Sequence, residues 1–414
     1  MVKMINFFYL AVSFFWLSAC ATHQNYINPV QQDLKTGQCA SALPKLQKLV
    51  EKNDDEELLY LMEYGSALQI CKDFKESSKV FIQADRLAEQ QDYVSLSRSL
   101  GATLLNEQLI QYKGDKFEKL FINALAALNY LELNDLDSAM VEVRRINEKT
   151  KKFAEAEKRN FEMNPFANYL GGLVYELQRK FDDACISYKE AHNLDPSYRA
   201  VAMDMLTSCW RAKRTQEFNI LVKQISATPD EISYAKRKEK DAQEVVLIYL
   251  QGWGPKKTVR NGDVAFPLLQ PTQSQTQKII VSAEEETSNL IQISQPIYSV
   301  EKAAIYTLEE DYKTLGLRRF GARIAKEVVA DQIRQKDRVL GDLAWIVMVA
   351  SERADLRNWA LLPESVQVVR LNAKNVKALK ITGKDFNNDL SEDLGRIDLQ
   401  SDPQKRVYLI RSLH

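Results

Sequence analysis

Residues 165–197 read PFANYLGGLVYELQRKFDDACISYKEAHNLDPS. Apolar residues recur here at helical spacing, and Asp195-Pro196-Ser197 closes the stretch with a polar turn. Within it, small residues (Gly172, Ala184, Ala191) alternate with bulky ones (Tyr175, Phe181, Tyr188) ahead of Pro196. Small side chains at a helix crossing let two antiparallel helices approach closely, while bulky ones fill the groove against the next pair. The same offsets return at Ala127, Tyr130, Leu136, Ala139, Val143 and Ile146, and again at Gly65, Leu68, Phe74, Ser77, Phe81 and Ala84. Partial units lie around Cys39–Leu49 and Leu206–Val222, whereas the stretch between Asp85 and Lys119 falls out of phase and predicts longer helices.

A period of about 34 residues with these residue types resembles the tetratricopeptide repeat. The resemblance implies an α-helical tetratricopeptide-like solenoid over residues 28–226, with Tyr130, Tyr169 and Tyr175 as candidate groove residues. Four cysteines fall inside it. Cys39 and Cys71 each stand 16 residues from Asp55, and Cys185 and Cys209 each stand 12 from Ser197. Helices that reverse at a turn put residues equidistant from it at the same height, so the spacing predicts disulfides Cys39–Cys71 and Cys185–Cys209; the alternative is four buried thiols.

Beyond residue 226 the texture changes. Pro229 and the charged run 236–241 suggest a linker over 227–243, and the β-branched run Val245–Leu250 reads as a buried strand. Residues 252–277, rich in Gly, Pro, Gln and Thr, read as loop. Strands are expected at 278–282, 290–293, 366–371, 376–381 and 406–410, with helical patterns from Val300 to about Ala354, among them Leu343–Ala350 as a core helix. The solenoid is therefore expected to be followed by a smaller α+β domain over 244–414.

The chain opens differently. Lys3 precedes the apolar run Ile5–Trp16, and Leu17-Ser18-Ala19-Cys20 closes it with small residues. This reads as a signal peptide over 1–19. The quartet resembles the lipobox of bacterial lipoproteins, which implies diacylglyceryl transfer to the Cys20 thiol, cleavage before it and a third acyl chain on the freed amine. Acyl chains contribute about 0.8 kcal/mol per buried methylene, and stable anchoring takes about two of them. The apolar run falls short of the roughly 20 residues that span a bilayer. Residues 20–27 are expected to be a lipidated tether, and Ala21, where resemblance would put Asp for inner-membrane retention, points to the outer membrane.

Clustered chemistry is not visible along the chain. His23, His192 and His414 are scattered, and neither a nucleophile elbow nor a phosphate-cradling loop occurs. No cofactor or metal is expected: in Asp385-Phe386-Asn387-Asn388-Asp389, Leu390 stands where a calcium loop needs glycine, so a polar turn is read there. Lys plus Arg and Asp plus Glu number 56 each, so net charge gives no nucleic-acid footprint. Arg319, Arg323 and Lys326 share one helical face, which could meet anionic lipid or an acidic partner or simply be solvated. In Gly252-Trp253-Gly254-Pro255-Lys256, Trp253 is either an exposed aromatic anchor with Lys256 beside it or a lid folded back on its own sheet. Asp355-Leu356-Arg357-Asn358-Trp359 is read as a helix end stopped before Pro363, with no salt bridge between residues two apart.

Several phrases together are similar to a family of bacterial outer-membrane lipoproteins with tetratricopeptide-like repeats and a smaller α+β region. They are Ala126, Leu128, Asn129 and Tyr130 with Val141-Glu142-Val143-Arg144-Arg145, then Asn164-Pro165-Phe166-Ala167, Gly252 to Lys256, and Ala354 to Trp359 ending in Leu362-Pro363. No reaction, cofactor or catalytic residue comes with the resemblance. It implies an envelope lipoprotein facing the periplasm, with envelope proteins, other lipoproteins among them, as partners. A protein-binding scaffold is the expected function. An adaptor or activator of an envelope protease or cell-wall enzyme is the alternative, and an enzyme in the C-terminal domain the third.

Overall fold

The computed structural model describes residues 23–98, 111–157, 165–237, 244–260, 263–285, 290–350 and 355–414, with backbone alone at 93–98, 154, 156–157, 260, 263–266, 310–326, 344 and 346–350. The leader, Cys20 and the side chains of Arg319, Arg323 and Lys326 therefore lie outside the described residues.

Among the described residues, ten helices stack in antiparallel succession: α1 (His23–Lys35), α2 (Cys39–Val50), α3 (Glu57–Ile70), α4 (Phe74–Arg98), α5 (Lys116–Glu132), α6 (Leu136–Glu157), α7 (Pro165–Leu177), α8 (Phe181–Leu194), α9 (Arg199–Arg211) and α10 (Thr215–Gln224). Repetition shows in their turns. Asp73 N donates to Leu68 O, Asp135 N to Tyr130 O, Lys180 N to Tyr175 O, Arg214 N to Cys209 O and Ala227 N to Val222 O, the same six-residue closure that Gln38 N makes to Asp33 O behind Gly37. Each follows a residue of positive φ (Lys72, Asn134, Arg179, Lys213, Ser226), which satisfies the last helical carbonyls. Packing repeats as well. A Cβ on Gly65 would stand 2.6 Å from the Phe81 ring and one on Gly172 2.6 Å from the Tyr188 ring, 16 residues on in both cases. At the third position with this spacing stand Ala127 and the smaller Val143, both buried in the core.

Both disulfides form, Cys39–Cys71 with Cα atoms 5.9 Å apart and Cys185–Cys209 with 4.7 Å. Each ties a helix pair to the next.

The array begins earlier than the sequence pattern suggests. Residues 23–27, expected in a tether, form the first turns of α1 and bury His23 and Ile27. The expected linker is also partly helical: Thr228 caps α11 (Pro229–Ala235), its hydroxyl accepting from Glu231 N while Glu231 accepts from Thr228 N.

The C-terminal region has two stacked sheets. Strands β1 (Glu244–Gln251), β6 (Gln295–Ser299), β7 (Ser365–Asn372) and β10 (Val407–Arg411) make the first, in the order β10-β1-β7-β6. Strands β4 (Lys278–Ala283), β5 (Ile291–Ile293), β8 (Ala378–Lys384) and β9 (Glu392–Asp398) make the second, in the order β5-β4-β8-β9. The first sheet is a middle layer, and the two-residue period of β1 serves both sides. Val246, Ile248 and Leu250 join the helical core, while Val245, Leu247 and Tyr249 pack with Ile279, Val281, Leu379 and Ile381 of the second sheet. This explains the unbroken apolar run of β1, and it corrects the expectation of two separate domains, since solenoid and sheet share one core.

The stretch 252–277 is not all loop. It holds a hairpin of β2 (Lys256–Arg260) and β3 (Asp263–Gln270), which among the described residues pair only with each other. Between β6 and β7 runs a helical arm of α12 (Val300–Arg334) and α13 (Arg338–Ala350). Val300, Ala304 and Leu308 seat the start of α12 in the core. Of the stretch 343–350, read as a core helix, Leu343 is 57% exposed, and the side chains at 344 and 346–350 lie outside the described residues.

Candidate functional site

A segment of the protein's own C-terminal region lies against the helical array and is held there by buried side chains. Helix α3 is buried on all sides and carries Glu63, Ser66 and Gln69 among its apolar residues. Helix α5, likewise buried, contributes Glu118. Against them lies the loop Asn358–Leu362, which connects the arm to β7.

Its main chain is held by carboxylates. Trp359 N donates to Glu118 Oε1 at 2.7 Å, Ala360 N to Glu63 Oε1 at 2.7 Å and Leu361 N to Glu63 Oε2 at 3.1 Å. Gln31 Nε2 donates to Ala360 O at 3.2 Å. The Trp359 indole donates to Ser66 Oγ at 2.9 Å, and its ring sits 5.8 Å from that of Phe81. Glu118 Oε2 also accepts from Tyr112 Oη at 2.6 Å and from Asp115 N at 2.8 Å. Burial, with the nearby Asp115 charge, pushes the Glu118 carboxyl up to about 7; Lys257 and the hydrogen bonds only partly oppose it. On the far side of Glu63, His23 Nε2 stands 3.2 Å from Oε1, and both side chains are buried.

Further along the array the contact changes character. Tyr298 of β6 stacks on Phe166, with ring centres 5.3 Å apart, and faces Phe121 at 5.8 Å. Next, Arg370 of β7 enters the helices. Its Nη2 donates to Glu176 Oε2 and to Tyr188 Oη at 2.9 Å each, and its Nε forms an ion pair with Asp204 Oδ1 at 2.7 Å. Arg211 bridges Glu176 at 3.0 Å and Glu244 at 2.9 Å. Burial works against the Arg370 charge, but Asp204 and Glu176 hold its pKa well above the ordinary value. At the sheet edge Glu132 accepts from Lys405 Nζ and from Leu409 N, closing the free side of β10.

These contacts decide several expectations. Tyr169 is not a groove residue open to a partner: it is fully buried, and its hydroxyl donates to Asp204 Oδ2 at 2.9 Å. Tyr130 and Tyr175 are half-buried. Trp253 is the folded-back lid and not an exposed anchor, since Nε1 donates to Leu413 O at 3.0 Å and the Arg411 guanidinium covers its ring. Lys256 is exposed. The segment Asp355–Trp359 is a loop, and Arg357 does pair with Asp355 at 2.8 Å, because the helical geometry that would separate them is absent. Sequence reasoning missed Glu63, Glu118, Arg370 and the Trp359 loop. The available signal was a lone charge inside an apolar run, as in Leu58-Leu59-Tyr60-Leu61-Met62-Glu63 and Val368-Val369-Arg370-Leu371.

A cavity of about 180 Å³ between α4, α5 and α6 is lined by Asp92, Lys119, Arg145 and Lys149 among others. Three of its four lining cations are matched internally: Lys119 pairs with Asp92 at 2.6 Å, Arg145 and Lys149 both reach the buried Asp85, and Lys149 donates to Asn123 Oδ1 at 2.8 Å. Among the described residues, no group of three or more His, Cys, Asp or Glu is placed to hold a metal ion.

The class of protein these features define is a tetratricopeptide-like helical array joined to a smaller strand-containing region. No protein-family model matches the chain, and no curated protein sequence matches it. Solved structures that it resembles include residues 41 to the end of MamA from Desulfovibrio magneticus RS-1, 17% identical with a TM-score of 0.33, over 52% of this chain and 97% of that one. A crystal structure of MamA protein is 11% identical with a TM-score of 0.35, over 52% and 96%. MamA AMB-1 is 15% identical with a TM-score of 0.30, over 50% and 98%. The repeat assignment itself rests on the recurring turns and the paired small and bulky residues.

Proposed function

We propose that this protein is a lipid-anchored, protein-binding scaffold of the bacterial envelope, held by acylated Cys20 at the outer membrane and facing the periplasm. The observation that carries the binding function is the treatment of the Trp359 loop. Glu63 and Glu118 read three successive main-chain amides of an extended segment, and Ser66 and Phe81 receive its aromatic side chain. An array that recognises extended polypeptide in this way has the chemistry of a peptide-binding solenoid. Because its own loop occupies these groups, partners meet the remaining faces; among the described residues, Val328, Val339, Leu340 and Leu343 of the arm are apolar positions left 53 to 75% exposed. The anchor half of the reading is supported by Leu17-Ser18-Ala19-Cys20 and by Ala21 after it.

The test is isolation of the protein from gently solubilised envelope membranes, with photo-crosslinking residues at Val339 and Leu343. A stoichiometric crosslinked partner from the envelope is expected. Isolation as an uncrosslinked single chain, with its acyl mass intact, would overturn the scaffold reading.

A further inference from the structure

The distance between the anchor and the folded body has a consequence for how the protein sits on its membrane. His23 is 4% exposed and paired with the fully buried Glu63; Tyr26 meets it edge-on with ring centres 4.9 Å apart. Gln24 Nε2 donates to Lys257 O of β2 at 3.4 Å. The first turn of α1 is thus a fixed part of the body. Only Ala21 and Thr22 separate it from Cys20. Three peptide steps reach at most about 10 Å. A compact body of this chain length has a radius of gyration of about 21 Å. A leash half as long as the radius it must clear does not let the body turn over.

We infer that the face around the first turn of α1, with the neighbouring β2–β3 hairpin, lies directly on the phospholipid surface, and that the spacing from Cys20 to His23 fixes the protein's orientation there. The inference rests on lipidation of Cys20. In the hairpin beside that turn Lys256 is exposed and Val259, on the other side of the strand, is 38% exposed, a cation and an apolar residue of the kind that settle at a headgroup boundary. Val259 stands two residues from the Gln24 contact, about 7 Å along the strand. Ile220 on α10, 65% exposed, marks the opposite end of the helical array.

The test uses the full-length acylated protein in phosphatidylethanolamine and phosphatidylglycerol vesicles that carry a nitroxide headgroup quencher. A bimane fluorophore is placed at V259C or at I220C; Cys20 carries the acyl group and the other four native cysteines are closed in disulfides, so none competes. Several-fold stronger quenching at Val259 is expected. Inserting sixteen Gly and Ser residues between Ala21 and Thr22, a spacer of about 22 Å root-mean-square length, should remove the difference. Equal quenching at the two positions without the insertion, on a chain whose intact mass shows the acyl groups, overturns this inference alone. A mature chain without acyl mass overturns the anchor reading, and the orientation with it.

Discussion

The helical array buries carboxylates against the C-terminal region in two places, and it compensates them differently. At α3 and α5, Glu63 and Glu118 accept hydrogen bonds from main-chain amides of the Trp359 loop. At α7 and α9, Glu176 and Asp204, with Glu244 of β1, meet the guanidinium groups of Arg370 and Arg211. Amide donors orient a carboxylate without neutralising it, so burial dominates at Glu118 and its pKa rises to about 7. Guanidinium groups do neutralise. Burial also pushes Glu244 up, but Arg370 and Arg211 outweigh it and hold the group below the usual carboxylate range. Asp204 is the exception that the count explains: three carboxylates share two guanidinium groups, and burial lifts this one to about 6. The first contact recognises a peptide, whereas the second locks two charged surfaces in register.

The comparison is broken most forcefully at Arg370. Replacing it with leucine leaves Glu176 and Asp204 without their closest cation in a buried interface, and losing one partner of a buried pair costs about 3–5 kcal/mol. With two carboxylates exposed to that loss, Arg370→Leu is expected at the upper end, about 5 kcal/mol, read from the midpoint of urea unfolding. Adding Asp204→Asn and Glu176→Gln to the same chain should recover part of it. A single variant that unfolds at the parental midpoint would show that the pairs carry no stability.

The peptide-like contact is tested at Trp359. Trp359→Ala removes a fully buried ring together with its hydrogen bond to Ser66 and leaves a cavity, for an expected loss of about 4 kcal/mol. The two contacts share no residue, so the losses from Arg370→Leu and Trp359→Ala should add to within about 0.5 kcal/mol. A large departure from additivity in the double variant would mean that they form one cooperative unit and that the contrast is one of chemistry alone.

What the amino-acid sequence revealed of this arrangement follows from what each signal depends on. The repeat units were legible because small and bulky residues at fixed offsets are a local pattern, and Gly65 with Phe81 and Gly172 with Tyr188 meet as their spacing implies. The cysteine pairs were legible for the same reason. The strands of the hairpin β2–β3 were not, since Lys256–Arg260 is polar and the strands are defined only by their pairing with each other. The Trp359 loop was not either. Its partners Ser66, Glu63 and Glu118 stand 241 to 298 residues away along the chain, and nothing near Trp359 announces them. Tyr169 misled because aromatic residues of repeat helices serve the core first, and this one packs on Tyr188 with ring centres 5.3 Å apart.

Each contact also has its own covalent clamp. Cys71 directly follows α3, which carries Glu63, and Cys209 lies on α9, which carries Asp204. Closing loops of 32 and 24 residues in the unfolded chain is worth about 3.5 kcal/mol each by chain entropy. Replacing either pair by serine should therefore lower stability by about 3 kcal/mol, almost equally for the two. Calorimetric melting of the two double variants checks this. A markedly larger loss for Cys185 and Cys209 would show that the guanidinium contact depends on its clamp more than the amide contact does.

The smallest effect separates the two contacts most sharply, because it depends on how each compensates its charge. Asp204 and Glu118 are both harder to ionise in the folded chain than in the unfolded one, so the folded state holds their protons more tightly. The stabilisation this gives is complete below the unfolded pKa and is lost as pH rises through the folded one. For Asp204 the loss runs from 3.8 to about 6, and for Glu118 from 4.5 to about 7. Above pH 6 the remaining decline belongs mainly to Glu118 and amounts to about 1 kcal/mol by pH 8. Glu118→Gln keeps an acceptor for Trp359 N and removes the titration, so unfolding free energies measured between pH 6 and 8 should become nearly flat. Asp204→Asn should leave the slope in that window unchanged. If Asp204→Asn flattened it and Glu118→Gln did not, the uncompensated charge would lie at the guanidinium contact, and the distinction between the two surfaces would be reversed.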